Sequence, residues 1–255
     1  MQIGIKRRIR VQLMDEEAFC PACGEVMDVY CDHALTCACQ GDRTRRHNKL
    51  RNCTFFDAQA AGFSGAELER PGLLPPRSPG EGPNAEEPNG DGLDNNGRRP
   101  ADVYVPRWRG GLPAAMDFAV TSGMRADLIA HSVADPGAAL DRYEEYKRQH
   151  QGTAQACRDA DLAFIPMIVE AHGGSWGGEA RRAFAVLAKR AADARGEEAA
   201  GVADRMAQRR SISLHGETAR AILQRLQQPR PGATASRLAA ATAVQAAAAA
   251  VAGAA

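Results

Sequence analysis

Asp102, in Ala101-Asp102-Val103-Tyr104-Val105, and Asp117, in Ala115-Met116-Asp117-Phe118-Ala119-Val120, are the residues of this sequence best placed to do chemistry. Both lie in short apolar segments that read as β-strands. Gly110-Gly111 between them supplies the positive φ that a tight hairpin turn needs. With a two-residue loop, paired positions sum to an odd number, so even positions on one strand face odd positions on the other. Asp102 and Asp117 then share a face, directly opposite or one diagonal apart, with Cβ atoms about 5–8 Å apart. Two carboxylates at that spacing can both reach one hard cation such as Mg²⁺ or Mn²⁺, and a cation so held suits phosphodiester chemistry. A three-residue loop would instead turn the acids to opposite faces, and two solvated edge residues would carry no chemistry. The other face, Val103, Val105, Met116, Phe118 and Val120, is expected to enter a core.

A second constellation lies upstream. Cys20 and Cys23 flank Pro21-Ala22, and His33 and Cys37 follow with three residues between them. Two such pairs supply four soft and borderline ligands for tetrahedral Zn²⁺. Gly24 allows the tight turn that the first pair needs. Cys31 and Cys39 are competing ligands, with Cys39 able to replace Cys37. A site closed by four protein ligands is structural, because it leaves no open position for a substrate.

These residues must be positioned by a chain of 255 residues, 44% of them hydrophobic, enough for one sizeable core and a small satellite module. The formal net charge is +1, so attraction to a polyanion has to come from local clusters. Three exist: Lys6-Arg7-Arg8-Ile9-Arg10, Arg43-Thr44-Arg45-Arg46 and Arg98-Arg99. A solvated surface explains each cluster taken singly; their placement around the acidic hairpin is what suggests phosphate contacts. The charged N-terminus lacks a secretory signal, and seven cysteines without one fit a reducing compartment, nuclear or cytoplasmic. The stretch from Leu238 to Ala255 is mostly Ala, too weakly apolar to span a membrane.

Along the chain, residues 1–17 read as a short basic strand or arm and residues 18–48 as the zinc knuckle. A helix is expected from Arg45 to about Ala61, with Leu50, Phe55 and Ala58 at helical spacing. Residues 71–97 turn to Pro, Gly, Asn, Asp and Glu and read as a disordered loop. After the hairpin come helices over about 136–151 and 153–160, then a continuous apolar run, 162–169, that reads as a buried central strand. Ser175 is a candidate N-cap for a helix over 176–195. A last helix over 217–228 turns Ala221, Ile222, Leu223 and Leu226 inward, and 231–255 forms an Ala-rich tail. Gly173-Gly174-Ser175-Trp176-Gly177-Gly178 reads as a strand-to-helix turn. The whole predicts an α/β core.

In order and type, these residues resemble the restriction-like endonuclease region at the C-terminal end of non-LTR retrotransposon polyproteins. The matching positions are Cys20, Cys23, His33 and Cys37, then Arg46-His47-Asn48, then Pro100 with Asp102, then Asp117, then Lys147 on a later helix. The similarity covers roughly residues 5–226. It implies a PD-(D/E)XK-type fold, a small mixed sheet flanked by helices over about 45–230, with an N-terminal zinc knuckle. It also implies a metal-dependent DNA endonuclease in which Asp102 and Asp117 hold Mg²⁺ or Mn²⁺ and Lys147 stabilises the attacking hydroxide or the phosphorane. Arg46, His47, Arg99 and Arg181 become nucleic-acid contacts, while Glu69 or Glu145 could complete the metal shell. DNA is the expected partner, with the element's RNA as a second candidate and no membrane. The sequence departs from the general nuclease pattern where Ala119 stands two residues after Asp117, in place of the usual Lys. With no polymerase signature, the resemblance implies a fragment or domesticated remnant. An inactive nucleic-acid-binding remnant and a structural or interaction protein are the alternatives.

Overall fold

The hairpin expected between the two acids forms in the computed structural model, which describes residues 2–75, 100–125 and 127–228. β4 (Val103–Arg109) and β5 (Leu112–Thr121) are antiparallel and close on Gly110-Gly111, at φ +58° and +88°. Pairing begins at Arg109 with Leu112 and resumes at Val105 with Ala114. β4 therefore carries two extra residues in a bulge around Arg107, whose φ is +53°. Two extra residues preserve parity where one would invert it, so the acids stay on one face. β3 (Glu67–Leu68) pairs with β4, and β6 (Ala163–Glu170) runs parallel to β5. The result is a mixed four-stranded sheet ordered β3-β4-β5-β6.

β6 thus ends the sheet rather than lying at its centre, and its apolar run has a different cause. Helices cover both of its faces, so Ile165 to Val169 are all buried although the far edge is bridged only near its end, where Val169 meets Trp176. Pro166 in its middle, with no N–H to donate, is compatible with that edge.

This sheet and its helices form one unit, residues 44–215. On one face Val103, Val105, Met116, Phe118, Met167 and Val169 pack with α3 (Asp42–Ala60), α7 (Gly178–Arg195) and the first half of α8 (Ala199–Gln227), through Leu50, Leu187 and Met206 among others. The core expected on that face is present, with Val120 at its margin. On the other face Ala119 and Ile168 meet Leu140 of α5 (Ala138–Gln149), and Ala115 meets Cys157 of α6 (Thr153–Asp159). A short α4 (Ile129–Ala134) precedes α5.

Three local expectations change. Ser175 does not cap α7; Gly177 holds the N-cap position without a side-chain bond, and the Glu144 carboxylate of α5 receives the Glu179 N–H at 3.1 Å instead. That carboxylate occupies the space a Cβ on Gly177 would need. α8 begins at Ala199, well before the expected start near Glu217. Leu223 is exposed rather than turned inward.

A buried ion pair joins α3 to α8 within this unit. Asp57 is fully buried and bonded to Arg210, itself 3% exposed and lying over the Phe184 ring. Asp57→Ala is expected to lower unfolding free energy by about 3–5 kcal/mol, because the guanidinium would be left buried without its carboxylate. Urea unfolding followed by tryptophan emission measures this.

The other unit comprises residues 1–43 and 216–255. Gln2–Arg8 forms α1, a helix where residues 1–17 read as a basic strand or arm. Ile5, Ile9 and Val11 are exposed, while Ile3 and Leu13 pack against the apolar core of the unit. Arg7 and Arg10 both grip Asp32, at 2.8 and 2.6 Å, and Arg10 covers the Tyr30 ring. Two arginines of the basic arm thereby share one carboxylate, Arg7 buried and Arg10 exposed. β1 (Ala18–Phe19) and β2 (Val26–Met27) form a small hairpin, and α2 (His33–Thr36) follows. The unit's apolar core gathers Met14, Met27, Cys31 and Ala34 around Ile222 of α8.

Pro71–Pro75, the start of the expected loop, is described, and Leu74 packs with Ala115 and Cys157. The rest of that loop, Arg98, Arg99 and the Ala-rich tail lie outside the described residues.

Candidate active site and metal centre

Continuing the β4–β5 register by one step sets Asp102 opposite Asp117. Asp102 is fixed through its backbone: its N–H donates to Met116 O at 3.0 Å, and its carbonyl accepts from Glu69 N at 3.1 Å. Its carboxylate accepts the Phe118 N–H at 2.6 Å, on Oδ2. The same oxygen lies 3.0 Å from His47 Nε2 on α3, while His47 Nδ1 faces Asn48 Oδ1 at 3.1 Å. Asp117 meets Lys147 of α5, whose Nζ stands 3.1 Å from Oδ1 and 2.9 Å from Oδ2. The four side chains are 20–26% exposed, sheltered enough to strengthen their interactions yet open to a phosphate from solvent.

Electrostatics divides the acids. Burial opposes ionisation of Asp102, but His47, the Phe118 N–H and Lys147 outweigh it and hold its carboxyl below the usual range. Asp117 is pushed up to about 6, by burial above all and by the neighbouring Asp102 charge, against the pull of Lys147. His47 is raised: burial works against its charge, but Asp102 more than compensates. Lys147 is raised in the same way by Asp117, again against burial.

Two opposed carboxylates, one of them resisting ionisation beside the other, are a donor set that suits a hard divalent cation. No third acid is gathered with them among the described residues. Glu69 is turned to Arg51 and Glu145 to Gln149 and Arg148, so neither completes the shell expected for it. Water and phosphate oxygens would have to fill it.

The raised Asp117 carboxyl has a consequence for stability. Between its unfolded value near 3.8 and about 6 the folded chain keeps a proton that the unfolded chain has released. Its contribution to stability therefore falls as pH rises through that window. We expect urea midpoints of Asp117→Asn to lack this part of the wild-type pH slope, and added Mg²⁺ to stabilise the wild type more above pH 6 than below it.

The nucleic-acid contacts expected from sequence fare differently. Arg46 is 1% exposed and cannot reach a polyanion. His47 is committed to Asp102, so its place is beside the acids rather than on a phosphate. Arg181, on the first turn of α7, is exposed. Arg99 lies outside the described residues.

The Cys/His constellation assembles as expected. Cys20, Cys23, His33 and Cys37 bring their ligand atoms within 4.8 Å of one another, with Cys23 Sγ and His33 Nε2 3.1 Å apart. This group could bind zinc. Gly24, at φ +79°, makes the predicted turn, and its N–H returns to Cys20 O. Asp28 receives the N–H groups of Tyr30 and His33, which orients the start of α2. Cys37 rather than Cys39 is the fourth member, and Cys31 is buried in the apolar core of its unit.

Arg225 near the end of α8 is the residue that sequence reasoning missed. It is fully buried, its Nη1 donating to Asp42 Oδ2 at 2.6 Å and Ala221 O at 2.9 Å. The Cys37 and Cys20 sulfurs, with Asp42, favour its charged form against the cost of burial. Burial resists the Cys37 thiolate, yet Arg225 pulls that thiol below its ordinary range. Burial and the Arg225 charge lower the His33 pKa, favouring the neutral imidazole that metals bind. A buried cation beside three thiolates offsets the excess negative charge of a Cys₃His zinc site.

No helix among the described residues is long and apolar enough to cross a membrane. No protein-family model and no curated protein matches this sequence.

Proposed function

We propose that this chain is a metal-dependent DNA endonuclease of the PD-(D/E)XK type, related to the restriction-like endonuclease region of non-LTR retrotransposons and carrying a structural zinc knuckle. The observation that carries the reading is the convergence of Asp102, just before β4, Asp117 on β5 and Lys147 on a later helix, 30 residues beyond the second acid. A mixed sheet with helices on both faces is the scaffold such a site needs, and Ala119 leaves the place of the usual strand Lys to a helical one.

Asp102 and Asp117 would hold the Mg²⁺ or Mn²⁺. When bound, the ion supplies a water of lowered pKa and neutralises phosphate charge. Lys147 provides a compact positive charge for the developing charge on the phosphate, where a preorganised donor acts most strongly. His47 keeps Asp102 ionised and fixes its orientation. Lys147 balances the Asp117 charge here and would be free to meet phosphate were the carboxylates to hold a divalent ion.

Nicking of supercoiled plasmid by the zinc-loaded protein tests this. Open circles are expected with Mg²⁺ or Mn²⁺ and none when both are omitted. Salt-sensitive DNA binding without cleavage under either metal would overturn the nuclease and leave a nucleic-acid-binding remnant.

A further inference from the structure

A cavity of about 360 Å³ opens beside α5, lined by Arg125, Asp127, Leu128, Arg142, Tyr143 and Tyr146. Nothing in the proposed chemistry uses it. Its lining is unusual for a surface recess, with two guanidinium groups and two phenol rings on so short a perimeter. Arg125 forks onto Asp127 through two bonds of 3.0 Å, so its charge is largely spent. Arg142 is exposed and makes no ion pair among the described residues. Tyr143 and Tyr146 stand 5.5 Å apart between ring centroids, and the Tyr146 ring continues onto His150 at 5.0 Å. Tyr146 is 51% exposed, so part of an aromatic face remains available.

The cavity is tied to the acidic site by its wall. Tyr143 packs against the cluster of Ala119, Leu140 and Ile168, and Ala119 is the next residue on the same face of β5 after Asp117, about 6.5 Å along the strand. Tyr143 also precedes Lys147 by one helical turn, about 6 Å. Stacked bases of one strand are spaced about 3.4 Å apart, so the cavity lies within about two nucleotides of the carboxylates.

We infer that this cavity binds one unpaired nucleotide of the DNA substrate next to the scissile phosphate, the base stacking on Tyr146 and Tyr143 and its phosphate meeting Arg142. Aromatic faces accept any base, and an arginine beside them tracks the backbone, which is how single strands are held without sequence readout. The pocket would favour DNA that presents an unstacked base at the cut site over continuous duplex. The inference rests on the endonuclease reading for its substrate but not for its measurement.

The test is binding of short DNA carrying a single 2-aminopurine, either unpaired or paired, to zinc-loaded protein without Mg²⁺ or Mn²⁺. The unpaired probe is expected to be quenched and the paired probe much less so. Tyr146→Ala should abolish the quench and weaken binding about tenfold, the order that base–aromatic stacking supplies. Tyr146→Phe should retain both, and Arg142→Ala should reduce the slope of log affinity against log salt by about 0.7. Equal quenching by wild type and Tyr146→Ala, or quenching of neither, overturns the pocket. If Tyr146-dependent binding is present and plasmid nicking absent, the pocket stands and the nuclease falls. If Asp117-dependent nicking is present with no Tyr146-dependent quench, the nuclease stands and the pocket falls.

Discussion

Asp117→Ala is expected to lower metal-dependent DNA cleavage by at least about 10³-fold while leaving the protein folded. Asp117 lies on the sheet face covered by α5 and at the margin of the packing there, so its removal opens no large cavity. What it removes is one of the two carboxylates gathered there among the described residues, together with the partner that holds Lys147 in place. A single remaining acid holds a hard ion that keeps most of its waters more weakly than two do. Lys147→Ala should cost about 10²–10³-fold in rate, as loss of one charge-stabilising donor does, with metal binding retained. Cleavage rates at saturating Mn²⁺, beside circular dichroism of each variant, separate these outcomes.

Stripping zinc, or replacing Cys20 by Ser, is expected to unfold residues 1–43 with the end of α8 and to leave the sheet unit intact. Formation of a structural zinc site in small domains releases apparent free energies of about 10–16 kcal/mol at neutral pH. The apolar core of this unit is a handful of residues around Met14, Met27 and Ile222, too little to replace that. Metal loss would also leave Arg225 buried beside protonated sulfurs. Both tryptophans, Trp108 and Trp176, pack in the core of the sheet unit. Chelation should therefore remove helical circular dichroism signal and leave tryptophan emission unchanged. Cobalt in place of zinc should show the visible spectrum of a tetrahedral thiolate site, and Cys39→Ser should not alter it.

The acid pair was legible because hairpin parity depends on little more than the turn. Gly110-Gly111 announced a two-residue loop, and the bulge around Arg107, which nothing in the sequence marks, inserts an even number of residues. The Cys/His group was legible for a similar reason: paired spacing within one short segment is local information. What failed was long-range or depended on partners. Arg225 lies 188 positions beyond Cys37, and no local pattern joins them. The first half of α8 carries Val202, Met206 and Leu214 at helical spacing, but the stripe is broken by Arg210, which is buried only because Asp57 meets it. The resemblance alone puts His47 and Arg46 on phosphate, and no local pattern shows which partners claim them. Here one is buried and the other is bound to Asp102, 55 residues away. β6 read as central because its apolar run records covered faces and says nothing of edges.

The central claim is that Asp102 and Asp117 share one divalent ion. Titration of zinc-loaded protein with Mn²⁺, followed by loss of the free Mn²⁺ paramagnetic signal, tests it without requiring a substrate. One bound Mn²⁺ is expected in the wild type and none in the Asp102→Asn, Asp117→Asn double variant, with zinc content unchanged in both. Equal Mn²⁺ binding by the two proteins, or none by the wild type, would contradict the claim.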